Sequence, residues 1–221
     1  CYVSVPTPSN KDGSCNVDIV SSVVYDLKLI NFKGIVAIKS TVKPTTTDTL
    51  AKETGLDICF VPEFLRERCA YSDFTENHDV LAVGTNSHDV FDHVVRSHGR
   101  YPKHVTKLKP VEAELLKYYS NIFNALRIVF ANEFYEICQS VGADYDQIKN
   151  TLVQRKAAHK SRNLYLNVND KLRGYGGACL PKDTAAMAAF AKELGLDLGL
   201  FDALEEENSK FKKTVIGDMR P

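Results

Sequence analysis

The sequence predicts an α/β sheet layer followed by an all-α part, on three observations. Up to about residue 100, short runs rich in Val, Ile and Phe alternate with stretches of helical period, as in βαβ units around a parallel sheet. From Pro110 to Val141 one run keeps its apolar residues at three-to-four spacing without a break. Beyond Gly142 the chain returns to shorter helical segments.

In chain order, strands are expected at Tyr2–Val5, Ile35–Ser40, Asp57–Val61 and Val80–Gly84, each a short β-branched or aromatic run. Between them Ile19, Val20, Val23, Val24, Leu27 and Ile30 recur at helical spacing, which predicts a helix over Val17–Ile30. Thr47–Thr54 and Ser87–Ser97 read as further helices, and Gly34, Gly55 and Gly99 stand where helices would stop. Pro110 suits a first helical turn and Gly142 a helix end, so the long run reads as one helix of about 32 residues and about 48 Å. A helix of that length is expected to link domains or to form a subunit interface. Asp144 with Gln147 resembles a capping box for a helix to roughly Ala158. Ser161–Tyr175 lacks periodicity and reads as a loop, Pro181 opens an Ala-rich helix ending near Gly195, and Leu200–Lys213 forms a last, charged helix. The chain is accordingly expected to divide into residues 1–100 and 101–221.

The composition narrows the function. In 221 residues, 28 Lys+Arg balance 28 Asp+Glu, so there is no basic excess to hold nucleic acid. No apolar stretch approaches the roughly 20 residues of a membrane span, and Cys1–Asn10 lack the pattern of a secretory signal, so no membrane partner is expected. The six cysteines are irregularly spaced with no C-x-x-C pair, which fits reduced thiols in a cytoplasm. The histidines His78, His88, His93, His98, His104 and His159 have no Cys partner at zinc spacing, and no metal site is expected.

Gly174-Tyr175-Gly176-Gly177-Ala178-Cys179-Leu180-Pro181-Lys182-Asp183 is the sharpest feature. Its glycines let backbone approach a ligand closely, and Pro181 puts Cys179 just outside a helix N-terminus. The helix dipole and Lys182 there favour a thiolate nucleophile; the plainer reading is a buried structural cysteine. On the long helix Glu114, Lys117, Asn121 and Asn124 form a polar face able to meet a developing oxyanion, or else a solvated surface. Glu63, in Val61-Pro62-Glu63-Phe64-Leu65-Arg66-Glu67 after a strand, is a candidate acid or base, or merely a helix-opening glutamate. Ser40-Thr41-Val42 lies at another strand end, where its hydroxyls would either face a ligand or cap a helix.

These segments, in this order, resemble the nucleotide-sugar 6-dehydrogenases, the UDP-glucose and GDP-mannose dehydrogenase family. The matching text is Val5-Pro6-Thr7-Pro8-Ser9, Ser40-Thr41-Val42, Pro62 to Glu67, Glu114 to Tyr118 with Asn121 and Asn132-Glu133, and Gly176 to Asp183. The resemblance implies the distal half of a Rossmann-like parallel sheet joined by a long central helix to a helical dimerisation domain. It implies oxidation of a nucleotide-sugar C6 alcohol to the carboxylate with two NAD, and a homodimer through the helical domain. Carried over, Cys179 would form a thiohemiacetal and then a thioester, while Lys117 and Asn121 would stabilise charge on the sugar oxygen. Asp183 with Thr41 would order a water, and Glu63 would serve as acid and base in hydrolysis. Phe64, Leu65 and Gly177 would contact substrate, with Arg162 as a candidate arginine offered across a dimer. Thr7, Thr41, Glu67 and Lys182 would lie toward the cofactor.

The sequence departs from the family at Val61, where Asn is usual, and at Arg68, where Gly is usual, and it contains no G-x-G-x-x-G. The chain therefore reads as an incomplete form, expected not to bind NAD tightly by itself. Two other readings stay open: a non-catalytic dimerisation module derived from such an enzyme, and a cysteine hydrolase with a histidine partner for Cys179.

Overall fold

The computed structural model describes residues 1–154, 168, 173–177, 179–196 and 199–211. Two compact units are present, Cys1–Tyr119 and Ser120–Pro221. The first is a five-stranded sheet in the order β1 (Tyr2–Val3), β2 (Val36–Ile38), β3 (Ile58–Phe60), β4 (Val80–Gly84), β5 (His104–Leu108). Helices α1 (Asp18–Leu29) and α2 (Thr46–Thr54) connect β1 to β2 and β2 to β3, and both strand pairs are parallel.

Strand alternation sends successive side chains to opposite faces. Val36 and Ile38 of β2, with Ile58 and Phe60 of β3, pack with Val20, Val24 and Leu50 in one core. Ala37 and Cys59 point the other way, into a second core with Leu81, Val83, Val90 and Val94. Both faces of these strands are buried, which is why they read as continuous apolar runs. Burial pushes the Cys59 thiol up to about 12, so this cysteine is an inert part of the packing.

The parallel arrangement expected from sequence holds on either side of one seam. At that seam β3 and β4 run antiparallel, meeting at Phe60 and Gly84. Their connection holds only a 3-10 turn (Glu67–Cys69) and the six-residue α3 (Ala70–Thr75). Because β4 is reversed, a right-handed crossover continuing in the same lateral direction must use the other face. α4 (His88–His98) accordingly packs through Val90 and Val94 on the second core and leads to β5, parallel to β4. β5 was not foreseen: its residues run from exposed to half-buried and carry no apolar alternation. Gly84 ends β4 against α5 (Pro110–Val141), where a Cβ would stand 2.6 Å from that of Ala113. Gly55 and Gly99 follow α2 and α4 with positive φ as expected, but α1 stops at Leu29 and the left-handed residue there is Asn31, not Gly34.

The second unit begins within α5 and continues with α6 (Tyr145–Gln154), α7 (Leu180–Glu193) and α8 (Leu200–Ser209). Gly142, at φ 69°, turns the chain out of α5, and Asp144 Oδ1 caps α6 by accepting the Gln147 N–H at 3.0 Å. α8 ends at Ser209, with Lys210 as its C-cap, short of the expected Lys213; the expected extension of α6 to Ala158 and most of the Ser161–Tyr175 loop lie outside the described residues. Among the described residues no helix is long and apolar enough to cross a membrane.

Candidate active site

In the first unit Thr7 follows β1, Ser40 and Thr41 follow β2, and Glu63 follows β3. These are the carboxyl ends of three parallel strands, the edge at which open α/β sheets bind ligands. Ser40 Oγ accepts the Val5 N–H at 2.8 Å and donates to the Val5 carbonyl at 2.7 Å, so it ties down the chain leaving β1 and does not cap α2. Thr7 is buried and Thr41 half-buried.

Glu63 is held from both sides. Its Oε1 accepts the backbone N–H groups of Phe64 (2.9 Å) and Leu65 (3.1 Å), and its Oε2 lies 3.0 Å from Lys39 Nζ. Burial pushes this carboxyl up, but the Lys39 charge and hydrogen bond, with the two amides, outweigh it and hold it below the ordinary glutamate value. Lys117 Nζ donates to the Glu63 carbonyl and sits 5.7 Å from the centre of the Phe64 ring. Val61, where the family usually has Asn, is fully buried and pinned to β2 through its N–H on the Ile38 carbonyl. Glu67 opens the 3-10 turn.

In the second unit Cys179 is the residue before α7, exposed at the N-terminal end of a helix that starts at Leu180. Its carbonyl accepts the Asp183 N–H at 2.9 Å. Asp183 is fully buried; Oδ2 accepts from Asn121 Nδ2 at 2.5 Å and Oδ1 lies 2.7 Å from Lys182 Nζ. Lys182 is thus directed to Asp183. Gly177 is exposed with φ 79°, a conformation that favours glycine.

The segment before Cys179 is clamped by side chains to which sequence reasoning gives no role: Asn132 enters only as part of the family resemblance, and Asn208 and Glu205 not at all. Asn208 of α8 accepts the Tyr175 N–H at 2.8 Å and donates to the Tyr175 carbonyl at 3.0 Å, and Asn132 of α5 accepts the Gly174 N–H at 3.0 Å. The Tyr175 hydroxyl donates to Glu205 at 2.5 Å. A Cβ on Gly174 would stand 2.9 Å from Asn208 Oδ1, so this glycine serves a close approach to α8 and not to a ligand. The only signal in the sequence was a buried-face position, Asn208 being one helical turn after the buried Leu204.

The polar face foreseen on α5 is divided among separate tasks. Glu114 caps α2, Lys117 meets the Glu63 loop, Asn121 meets Asp183, and Asn124 accepts from Arg127 at 3.4 Å. Arg162 lies outside the described residues.

Residues 1–97 match the NAD binding domain of the UDP-glucose/GDP-mannose dehydrogenase family, and residues 111–210 match its central domain. The chain belongs to the UDP-glucose/GDP-mannose dehydrogenase family. It is 29% identical to UDP-glucose 6-dehydrogenase TuaD of Bacillus subtilis over 97% of this chain and 47% of that protein. It is 31% identical to UDP-glucose 6-dehydrogenase AglM of Haloferax volcanii over 94% of this chain and 51% of that protein. A solved UDP-glucose dehydrogenase from the hyperthermophilic archaeon Pyrobaculum islandicum superposes with a TM-score of 0.83 at 30% identity, covering 95% of this chain and 50% of that one. The chain spans about half the length of these relatives.

For a dehydrogenase of this family the groups present fit one part of an NAD site. Thr7 and Thr41 stand at the carboxyl edge of the sheet, where open α/β folds bind such a cofactor, whereas the sequence contains no G-x-G-x-x-G for its pyrophosphate.

Proposed function

We propose that this chain carries the catalytic residues for oxidation of the C6 alcohol of a nucleotide sugar, of the UDP-glucose to UDP-glucuronate type. One observation supports this above the others: an exposed Cys179 at the start of α7, one helical turn before a buried Asp183 that holds Asn121 and Lys182. Such a constellation sets a nucleophile on the same helical turn as a carboxylate that holds an amide in place, as trapping an aldehyde and stabilising its oxygen require.

NAD, when bound, accepts the hydride lost in each of the two oxidations. The alcohol loses a hydride and a proton to become an aldehyde. Cys179 Sγ then bonds to the aldehyde carbon as the C=O π bond opens and the thiol proton passes to the oxygen, giving a thiohemiacetal. Loss of a hydride from that carbon and of the hydroxyl proton gives a thioester, and water cleaves the C–S bond to release the carboxylate and regenerate the thiol. Lys117 and Asn121 are assigned to the sugar oxygen and Asp183 to holding Asn121. Glu63 takes the proton of the attacking water and returns it to the departing sulfur. The N–H groups of Phe64 and Leu65 orient Glu63, and the backbone of these two residues and Gly177 is assigned to the substrate. Thr7, Thr41, Glu67 and Lys182 are assigned to the cofactor side.

In the same reading residues 1–100 supply the cofactor edge, and residues 101–221 carry the nucleophile and a self-association face. Leu126, Phe130, Phe134, Ile137 and Val141 lie on one exposed stripe of α5 at three-to-four spacing, with Phe130 54% and Ile137 55% exposed. A two-fold homodimer would cover it. Six unpaired cysteines accord with a reducing, cytoplasmic setting.

Competitive alkylation tests the nucleophile. With limiting iodoacetamide near neutral pH, Cys179 should label faster than Cys1, the other exposed cysteine, as read by peptide mass spectrometry. Labelling of Cys179 no faster than Cys1 would remove its activated role.

A further inference from the structure

We propose that Lys39 is a positioning residue for Glu63: delivered from the end of β2, its ammonium fixes one carboxylate oxygen while the loop amides fix the other, so that Glu63 meets water as a base. The inference rests on the reading of Glu63 as the acid and base of hydrolysis.

The geometry leaves Glu63 little freedom. Oε1 is committed to two N–H donors one and two residues ahead, which sets the direction of the side chain back along its own loop. Oε2 then faces β2, where Lys39 Nζ stands at 3.0 Å. Lys39 directly follows β2, and its side chain is only 19% exposed, with Nζ 6.0 Å from the centre of the Tyr2 ring on the neighbouring strand. The ammonium is therefore confined between β1 and β3.

The other charged groups around the pair do not replace it. Lys117, from α5, donates to the Glu63 carbonyl, and Arg66, on the same loop, is joined to Asp73 at 2.7 Å. From α4, His98 lies beside Tyr2 and His78, and burial, first, lowers its affinity for a proton; Lys39 and His78 add to this, while the Val94 carbonyl and Glu63 oppose it. A half-buried carboxylate that kept its two amides and lost Lys39 would lose the charge and hydrogen bond that offset its burial.

During hydrolysis the carboxylate of Glu63 accepts a proton from water, the hydroxide oxygen bonds to the thioester carbon, and the C–S electron pair returns to Cys179. Lys39 stays protonated throughout. It acts by keeping Glu63 ionised and aimed before the proton arrives. An uncharged residue of the same length would keep the packing against Tyr2 but not this state.

The test is a carboxyl titration of the 221-residue chain labelled with ¹³C at glutamate, followed by NMR. Wild-type Glu63 should titrate below the ordinary glutamate value, Lys39→Met should raise its midpoint by about one pH unit or more, and Lys39→Arg should restore it. A merely structural role would not move this titration, and circular dichroism checks that each variant is folded. In a preparation that turns over UDP-glucose, Lys39→Met should also move the acidic limb of kcat upward, and Glu63→Gln should accumulate a Cys179 thioester detectable by mass. If Glu63→Gln hydrolyses at the wild-type rate, the acid and base reading falls. If Lys39→Met leaves the Glu63 midpoint where it is in the wild type, the positioning role of Lys39 is overturned.

Discussion

Glu114 joins the long helix to the start of α2, and its removal should cost the first unit much of its stability. The side chain is fully buried. Oε2 accepts the Thr45 N–H at 2.6 Å, and Oε1 accepts the Thr47 N–H at 2.8 Å and the Thr47 hydroxyl at 2.6 Å. A carboxylate from another helix thus satisfies two donors of the first turn of α2, at the end where a negative charge is favoured. Burial pushes the Glu114 carboxyl above its ordinary value, with the Thr47 and Thr45 hydrogen bonds opposing. Glu114→Ala leaves these donors without an acceptor, at about 1–3 kcal/mol for each one shut off from water, and removes the cost of burying the carboxylate. The net loss should be about 2–4 kcal/mol, a fall in Tm of about 5–15 °C for a chain of this size. Glu114→Gln keeps the volume and one acceptor oxygen and should lose about half as much. Urea denaturation followed by circular dichroism gives the free energies, and hydrogen exchange at the Thr45 and Thr47 amides locates the effect. If Glu114→Ala remains within about 0.5 kcal/mol of wild type, the carboxylate is not a cap that α2 depends on.

Thr45 is a β-branched residue at φ 79°, so Thr45→Gly should relieve strain and stabilise by about 1 kcal/mol after the added entropy of the unfolded chain; a lower Tm would refute this. His98, buried mainly by its packing, holds its proton less tightly than an ordinary histidine. The unfolded state then binds more protons, so stability should fall as pH drops below about 6.5, and His98→Phe should flatten the difference in urea midpoint between about pH 7.5 and about pH 5.5. An unchanged slope in the variant would assign the pH dependence elsewhere. Light scattering at micromolar concentration should give twice the 24.7 kDa chain mass, and Phe130→Asp should bring it toward one chain; a wild-type monomer would exclude the dimer.

The sequence by itself determined the elements whose signal is local. Val36–Ile38 and Ile58–Phe60 are buried on both faces and so appear as unbroken apolar runs, and α5 follows from a period sustained from Pro110 to Val141. The Cys179 segment was equally legible, because a proline just inside a helix and a cysteine just outside it are neighbours in the chain. Periodicity did not say which strands run in opposite directions or that the exposed β5 exists, since a lone pair of residues joins β3 to β4 and β5 buries too little to leave a pattern.

The tertiary structure alone decided what each polar side chain meets. From sequence the apolar residues of α5 formed one broad stripe; in the fold Tyr118, Ile122 and Val129 are buried while Phe130, Ile137 and Val141 are exposed. Glu114 looked like a neighbour of Lys117 and Asn121, yet its partners lie 67 and 69 positions away in sequence. Gly174 looked like room for a ligand and is room for Asn208, 34 positions further along the chain. A helix period fixes which residues share a face; which face meets which partner depends on contacts between distant segments, and those exist only once the chain has packed.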